Sequence, residues 1–369
     1  MPQRFRLGGV TTSALDNDYD IQITMRCFGG VMNISYSLQN IKSDGLRNQY
    51  LDNWHALETD DGAQWDRTTK QLVEPFQSIM TDLAGKLPVP PSDLLSDYLY
   101  PKHYAFEARA AAGDEKVAPF FIGETPKEDM VPPGQYIPQI SGQLQQLFEL
   151  GSWVSSIYSS RQTRIIPSFS TRAGEPRLAR PARVLAGGHE YFFKPWHGGN
   201  GPGSANLSEL ATYRRIAEST AAGRIRSDLR ICRMHGVVVD DDEDTWPVSE
   251  EGGSRLLGIL LTWVETNQKP WLETLYHRAS STVATPDVLS SWSDQLDTLI
   301  AEIHRVDIVW GDAKPHNILV DRSGFIWLID FGGSYTDGWV DRKNKGTKEG
   351  DSQGVERIKA FLSKRATTS

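Results

Sequence analysis

The sequence predicts a mixed α+β chain of two domains, or of one two-lobed domain preceded by an N-terminal α/β extension. Three observations lead there. From about residue 180 onward, segments with strand and helix character follow in the order strand, strand, helix, strand, strand, helix, loop, hairpin. Within that run, Trp310-Gly311-Asp312-Ala313-Lys314-Pro315-His316-Asn317 is followed by Asp330-Phe331-Gly332, which sets Asn317 5 residues after Asp312 and Asp330 13 residues after Asn317. Finally, 369 residues that are 39% hydrophobic and 23% charged suffice for two domains, or for one two-lobed domain with an extension.

Along the chain, residues 21–38 alternate loosely and predict one or two strands around Gly29-Gly30. Residues 65–87 carry Leu72, Phe76, Ile79, Met80 and Leu83 at helical spacing, and Pro88, Pro90 and Pro91 end that helix. Residues 92–100 predict a short helix capped by Ser92. Residues 124–138 are rich in Pro, Gly and charge and predict a linker or irregular arm, and residues 144–158 predict a helix interrupted by Gly151. The expected division is an extension of unknown fold over 1–135, a linker or helix over 136–160, a small lobe over 161–266 and a shortened large lobe over 267–369.

In the small lobe, residues 182–185 and 190–194 predict a hairpin turning through Ala186-Gly187-Gly188-His189. A helix over 207–222 and strands over 229–239 and 255–264 follow, the strands flanking an acidic loop over 240–253. Residues 286–304 give a strong amphipathic helix through Leu289, Trp292, Leu296, Leu299, Ile300 and Ile303. Residues 318–320 and 325–329 predict a small hairpin around 321–324, and residues 352–364 a terminal helix.

Phosphoryl transfer from ATP needs a carboxylate to orient the attacking hydroxyl and oxygen ligands to hold magnesium on the phosphates. The spacing of Asp312, Asn317 and Asp330 supplies both. It resembles the catalytic loop and D-F-G segment of the protein kinases, whose pattern is H-R-D-x-K-P-x-N then D-F-G. Asp312, Lys314, Pro315, Asn317 and Asp330-Phe331-Gly332 match it. Trp310-Gly311 stands where the family has His-Arg, and a Gly-Asp pair there is similar to the aminoglycoside and choline phosphotransferases. Residues 180–360 also look like the uncharacterised kinase-like proteins of filamentous fungi.

The resemblance implies a bilobal protein kinase-like fold and an ATP- and magnesium-dependent transfer to a hydroxyl of a protein or a small molecule. It implies that Asp312 takes the acceptor proton, that Lys314 neutralises the transferring phosphate, and that Asn317 and Asp330 ligate magnesium. Lys194, at the end of an apolar strand, would contact the α- and β-phosphates and pair with Glu209, 15 residues on. Residues 260–265, ending in Glu265, fall where the family binds adenine through backbone groups. His304 is expected to be a structural hydrogen-bonder and His316 to be exposed. Asp351 would cap a terminal helix and hydrogen-bond the catalytic loop.

The pattern also departs from the family. No G-x-G-x-x-G precedes Lys194, no A-P-E follows Gly332, and only 37 residues remain after it. Gly311 removes the arginine that meets an activation-loop phosphate, and Trp310 is not expected to organise the backbone as the family's histidine does. These departures support a second reading, a catalytically weak or inactive pseudokinase acting as a binding scaffold. A net charge of −8 argues against nucleic acid or an anionic membrane as the main partner. Two distant cysteines, Cys27 and Cys232, exclude a disulfide framework and a zinc site and fit a reducing compartment. With no apolar leader in residues 1–13, the expected location is cytoplasmic or nuclear.

Overall fold

The computed structural model describes residues 5–15, 18–27, 30–59, 61–87, 93–126, 135–138, 156–166, 182–196, 205–240, 253–267, 272–281, 284–332 and 335–367. They form a mixed α+β chain of two compact units. The described residues up to 126 make the first unit and those from 135 onward the second. No helix among the described residues is long and apolar enough to cross a membrane. Cys27 and Cys232 are both buried and free.

In the first unit, β1 (Phe5–Leu15), β2 (Asp18–Cys27), β3 (Gly30–Tyr36), β4 (Lys102–Arg109) and β5 (Ala118–Glu124) form one sheet in chain order. Neighbours are antiparallel except β3 and β4, which run parallel. A parallel pair cannot be joined by a tight turn. The crossover carries α1 (Asp44–Leu57), α2 (Gly62–Val73), α3 (Gln77–Ala84) and α4 (Leu95–Leu99). Alternate residues Met32, Ile34 and Tyr36 of β3 and Tyr104, Phe106 and Ala108 of β4 are buried, and Leu72, Phe76 and Met80 pack into the same core.

The helix expected over 65–87 is real but broken. Pro75, which has no N–H to donate, sits in a 3₁₀ turn over Glu74–Phe76 between α2 and α3. Asp61 caps α2, its carboxylate accepting from Ala63 and Gln64 N–H at 2.9 and 3.1 Å. The short helix α4 starts later than expected. Its N-cap is Leu94, which makes no side-chain cap bond, and Ser92 lies outside the described residues.

His103 on β4 makes the first unit sensitive to acid. Its Nδ1 lies 3.1 Å from Asn33 Nδ2. An amide NH₂ only donates, so the ring accepts and is neutral. Burial, and then the charge of Arg26, holds its pKa below the ordinary histidine value. Between that lowered pKa and the unfolded value the unfolded chain binds more protons, so stability is full above the unfolded pKa and falls as pH drops toward the folded one. Thermal unfolding of the full chain at pH 7 and pH 5 should therefore show a smaller acid loss for His103→Gln than for the native protein. Equal losses would remove His103 as the source.

In the second unit, β7 (Ile157–Ser159), β11 (Met234–Asp240), β12 (Gly253–Thr262), β10 (His189–Pro195), β9 (Arg183–Ala186) and β8 (Arg164–Ile165) are neighbours in that order, and β6 (Gln135–Pro138) also pairs with β12. Strands β6 and β7 come from the stretches expected to be an arm, a linker or a helix. Residues 157–159 pair in parallel with Val237–Val239 on the sheet edge instead of continuing a helix, and residues 139–155 lie outside the described residues. The hairpin β9–β10 turns through Gly187-Gly188 as expected, both at positive φ.

After β10 come α5 (Ala205–Ala221), then β11 and β12, the short α6 (Leu275–Arg278), α7 (Pro286–His304), the hairpin β13 (Ile318–Val320) and β14 (Ile326–Leu328), and α8 (Lys348–Ala366). The expected apolar stripe of α7 is buried throughout, and Thr285 caps it through Val288 N–H. One apolar core joins α5, β11 and β12 to α7, the β13–β14 hairpin and α8, with Tyr213, Trp292, Trp310 and Phe331 wholly enclosed. α8 starts four residues before the expected helix because Thr347 caps it, its Oγ1 accepting from Gly350 N–H at 3.0 Å. Asp351 lies in its first turn and is not the cap.

Candidate active site

Strand β10 alternates, so Phe193 is buried on one face and Lys194 emerges on the other. An ammonium leaving an apolar strand needs a partner. Lys194 Nζ lies 2.7 and 2.9 Å from the two Glu209 oxygens and 2.7 Å from Asp330 Oδ1. Glu209, on the buried side of α5, is only 4% exposed. Burial pushes its carboxyl up, against the pull of Lys194. Burial works against the Lys194 charge too, but Glu209 and Asp330 together outweigh it and hold the amine above the usual lysine value. The lysine is thus charged and shared between two carboxylates.

The β13–β14 hairpin sets Asn317 and Asp330 at its open end, where Ile329 N–H donates to Asn317 O at 3.0 Å. Asp330 has φ +60, in the left-handed region that aspartate tolerates better than most side chains. Asp312, 3% exposed, faces a second cluster. Its Oδ2 is 2.6 Å from Lys314 Nζ and accepts from Asn317 Nδ2 at 3.0 Å, and its backbone oxygen accepts from the same amide. Thr336 donates to Asp312 Oδ1 at 2.9 Å and accepts from Lys314 Nζ at 2.8 Å. Nothing in the sequence spacing marks Thr336, which enters the site only through folding.

The loop before Asp312 is held from beneath by Asp351. This carboxylate is 1% exposed and accepts from Trp310 N–H (2.7 Å), Gly311 N–H (2.8 Å) and His304 Nε2 (2.9 Å). The contact of Asp351 with the loop and the structural part of His304 match the sequence reading. Gly354, one turn along α8, lets the helix approach, because a Cβ there would lie 2.5 Å from Ala313 Cβ and 2.7 Å from its oxygen. Gly311 has φ +93, a conformation in which an arginine would be strained. Trp310 corrects an expectation: its indole Nε1 donates to Ile329 O at 2.8 Å and so anchors the backbone just before Asp330.

Glu265 is engaged elsewhere. Its carboxylate meets Arg322 at 2.7 Å and Arg183 at 3.4 Å and accepts from Trp263 Nε1 at 2.9 Å, while its backbone oxygen accepts from Arg322 N–H. The side chain is therefore not presented to a nucleotide, which leaves only backbone groups of the segment for that purpose. His316 is exposed as expected, and its ring stacks on Tyr276.

Two oxygens fit a hard cation. A carboxylate can only accept, so the Asn317 NH₂ must face Asp312, and its Oδ1 points the other way without a hydrogen bond among the described residues. Among the described residues Asp330 Oδ2 has no hydrogen bond, while Oδ1 serves Lys194. Two oxygen donors are what magnesium takes from a protein when phosphates and water complete its shell. No group of three or more His, Cys, Asp or Glu suited to a metal occurs among the described residues.

No family model matches the chain. Over 74 residues it is 36% identical to the "Probable serine/threonine-protein kinase KIN28 homolog" of Encephalitozoon cuniculi, covering 20% of this chain and 22% of that protein. Over 58 residues it is 36% identical to the "Serine/threonine-protein kinase PKH3" of Eremothecium gossypii, covering 16% of this chain and 8% of that one. The chain thus spans under a quarter of either relative, and the likeness is of a region to serine/threonine protein kinases.

Proposed function

We propose that the chain is an ATP- and magnesium-dependent phosphotransferase of the protein kinase-like superfamily, moving the γ-phosphoryl group to a hydroxyl of a protein serine or threonine or of a small molecule. One observation carries the reading: Lys194 joins Glu209 and Asp330, 15 and 136 residues away, on the bridge that phosphate binding by a lysine requires. In this reading residues 161–266 are the small lobe and residues 267–369 a shortened large lobe of a bilobal fold.

Lys194 holds the α- and β-phosphates, with Glu209 fixing the direction of the amine. Asp312 Oδ1 receives the acceptor hydroxyl in the way it receives the hydroxyl of Thr336. Lys314, which meets Asp312 and Thr336, supplies the cation that charge on the transferring group needs. Asn317 Oδ1 and Asp330 Oδ2 would hold magnesium, which would supply the charge that neutralises the phosphate oxygens. Adenine is taken by backbone groups of residues 263–265.

The test is thermal unfolding with ATP, with and without magnesium. Nucleotide at about 100 times its dissociation constant stabilises the fold by about 2.7 kcal/mol. A magnesium-dependent rise is expected for the native chain, and Asp330→Asn should lose the magnesium dependence. No rise at millimolar nucleotide would favour the second reading, a pseudokinase scaffold. Its motive is the absence of a G-x-G-x-x-G ahead of Lys194, since glycine-rich backbone is the usual cradle for phosphates.

A further inference from the structure

A ladder of rings begins at the catalytic loop. His316, one residue before Asn317, stacks on Tyr276 of α6 with centroids 4.2 Å apart and planes 22° apart. Tyr276 stacks on Phe361 of α8 at 5.6 Å and 6°, and Phe361 meets Trp339 edge-on at 6.0 Å. These rings come from four separate segments, and the ladder opens to solvent, with Tyr276 36% exposed and Leu272 near it 41%. Apolar surface kept in contact beside a reactive centre is a mark of an interaction face.

Cations lie over rings of the same segments. Arg365 sits over the Phe361 ring at 5.4 Å and Lys345 over the Tyr335 ring at 5.9 Å. Tyr335 precedes Thr336, whose hydroxyl touches Asp312, so Lys345 lies over the chain segment that leads to Asp312. Other charges of this stretch are engaged, Asp341 with Arg357 at 2.9 Å and Lys348 with Asp307 at 2.5 Å. Arg342, Lys343 and Lys345 are exposed, as are the carboxylates Asp337 and Glu349 of the same stretch, and the charge of Lys343 also acts on Asp341.

We infer that this face docks an acidic polypeptide segment, which supplies the acceptor hydroxyl and lays an apolar or aromatic side chain on the ring ladder. The inference rests on the phosphotransferase reading and names its substrate class. A chain of net charge −8 repels an acidic partner over most of its surface, so a cationic stretch beside the site selects where that partner lands. Rings with cations above them accept both apolar and anionic groups. The ladder is an open track across α6, α8 and residues 335–345, whereas a small molecule is held in a concave pocket.

The experiment is fluorescence anisotropy of the full chain with labelled short peptides of one design, a central serine with a phenylalanine and a leucine, flanked either by Asp and Glu or by Lys and Arg. The acidic peptide should bind at least about tenfold more tightly, a difference of about 1.4 kcal/mol. High salt should shrink that gap. Arg342→Glu, Lys343→Glu and Lys345→Glu together should erase it, and Tyr276→Ala should weaken acidic-peptide binding while keeping its salt dependence. Equal binding, a preference for the basic peptide, no binding of either, or tighter binding of a labelled oligonucleotide would each overturn the inference. The magnesium-ATP thermal shift on the same samples separates the two readings. A peptide preference without a nucleotide shift keeps the docking face and removes the phosphotransferase, and a shift without a preference does the reverse.

Discussion

Asp312→Asn should lower the rate of phosphate transfer by about 10²–10⁴-fold, the usual worth of a positioned general base, while leaving nucleotide binding nearly unchanged. The local geometry says why the fold should tolerate it. Oδ2 of Asp312 faces two donors, Asn317 and Lys314, whereas Oδ1 faces a hydroxyl that can donate or accept. An asparagine can turn its oxygen to the two donors and its NH₂ to Thr336, so every bond of the cluster survives in some form. What disappears is the basic oxygen that an acceptor hydroxyl needs. The check is the magnesium-ATP thermal shift and transfer to an acidic peptide, measured on the same preparation. Native turnover in Asp312→Asn would remove Asp312 from its role, and loss of the nucleotide shift would show that the carboxylate holds the site together instead.

Asp351→Ala is expected to be strongly destabilising. It would leave the buried N–H groups of Trp310 and Gly311, and the partly exposed ring of His304, without their acceptor. Each unsatisfied buried group costs about 1–3 kcal/mol, so the two backbone N–H groups alone cost about 2–6 kcal/mol, a large part of a total stability of about 5–15 kcal/mol. Asp351→Asn keeps one oxygen and should fall between the two. Urea unfolding of the three proteins measures this order. A loss below about 1 kcal/mol for the alanine variant would mean that water or a neighbouring oxygen replaces the carboxylate.

The elements that were legible in the sequence are those with an unambiguous period or turn. The α7 helix, Pro286–His304, was readable to the residue because a threonine cap, a first-turn proline and a continuous apolar stripe coincide. The β9–β10 hairpin was readable from two glycines. By contrast, α1 gave no signal, since only Tyr50, Ala56 and Leu57 of its residues are buried. Strand β1 hides behind Gly8-Gly9 and a polar stretch, and β5 carries a proline and an exposed Phe120-Phe121-Ile122 run without alternation. Strand β4 did alternate, with Tyr104, Phe106 and Ala108 inward, and its period of two could have revealed it.

Within the candidate site, fixed spacing disclosed Asp312, Lys314, Asn317 and Asp330, and the contacts of Lys194 with Glu209 and of Asp351 with the loop were anticipated. Glu265 was chosen from its place in the chain, for its backbone, and nothing in that place foretold that its side chain would be shared by two arginines from distant segments. Thr336 could not be found in advance, because its meeting with Asp312 depends on how residues 330–341 turn, and no local pattern encodes that path.

The bond from Trp310 to the Ile329 carbonyl has one more consequence. An imidazole in that place can take up a second proton near neutral pH, and its charge would then be felt by the carboxylate next door. An indole N–H has no such equilibrium and only ever donates. The joint between the loop before Asp312 and the backbone before Asp330 therefore exists in a single protonation state across the whole range in which the chain is folded. Whatever acidity sensing the molecule has must reside elsewhere.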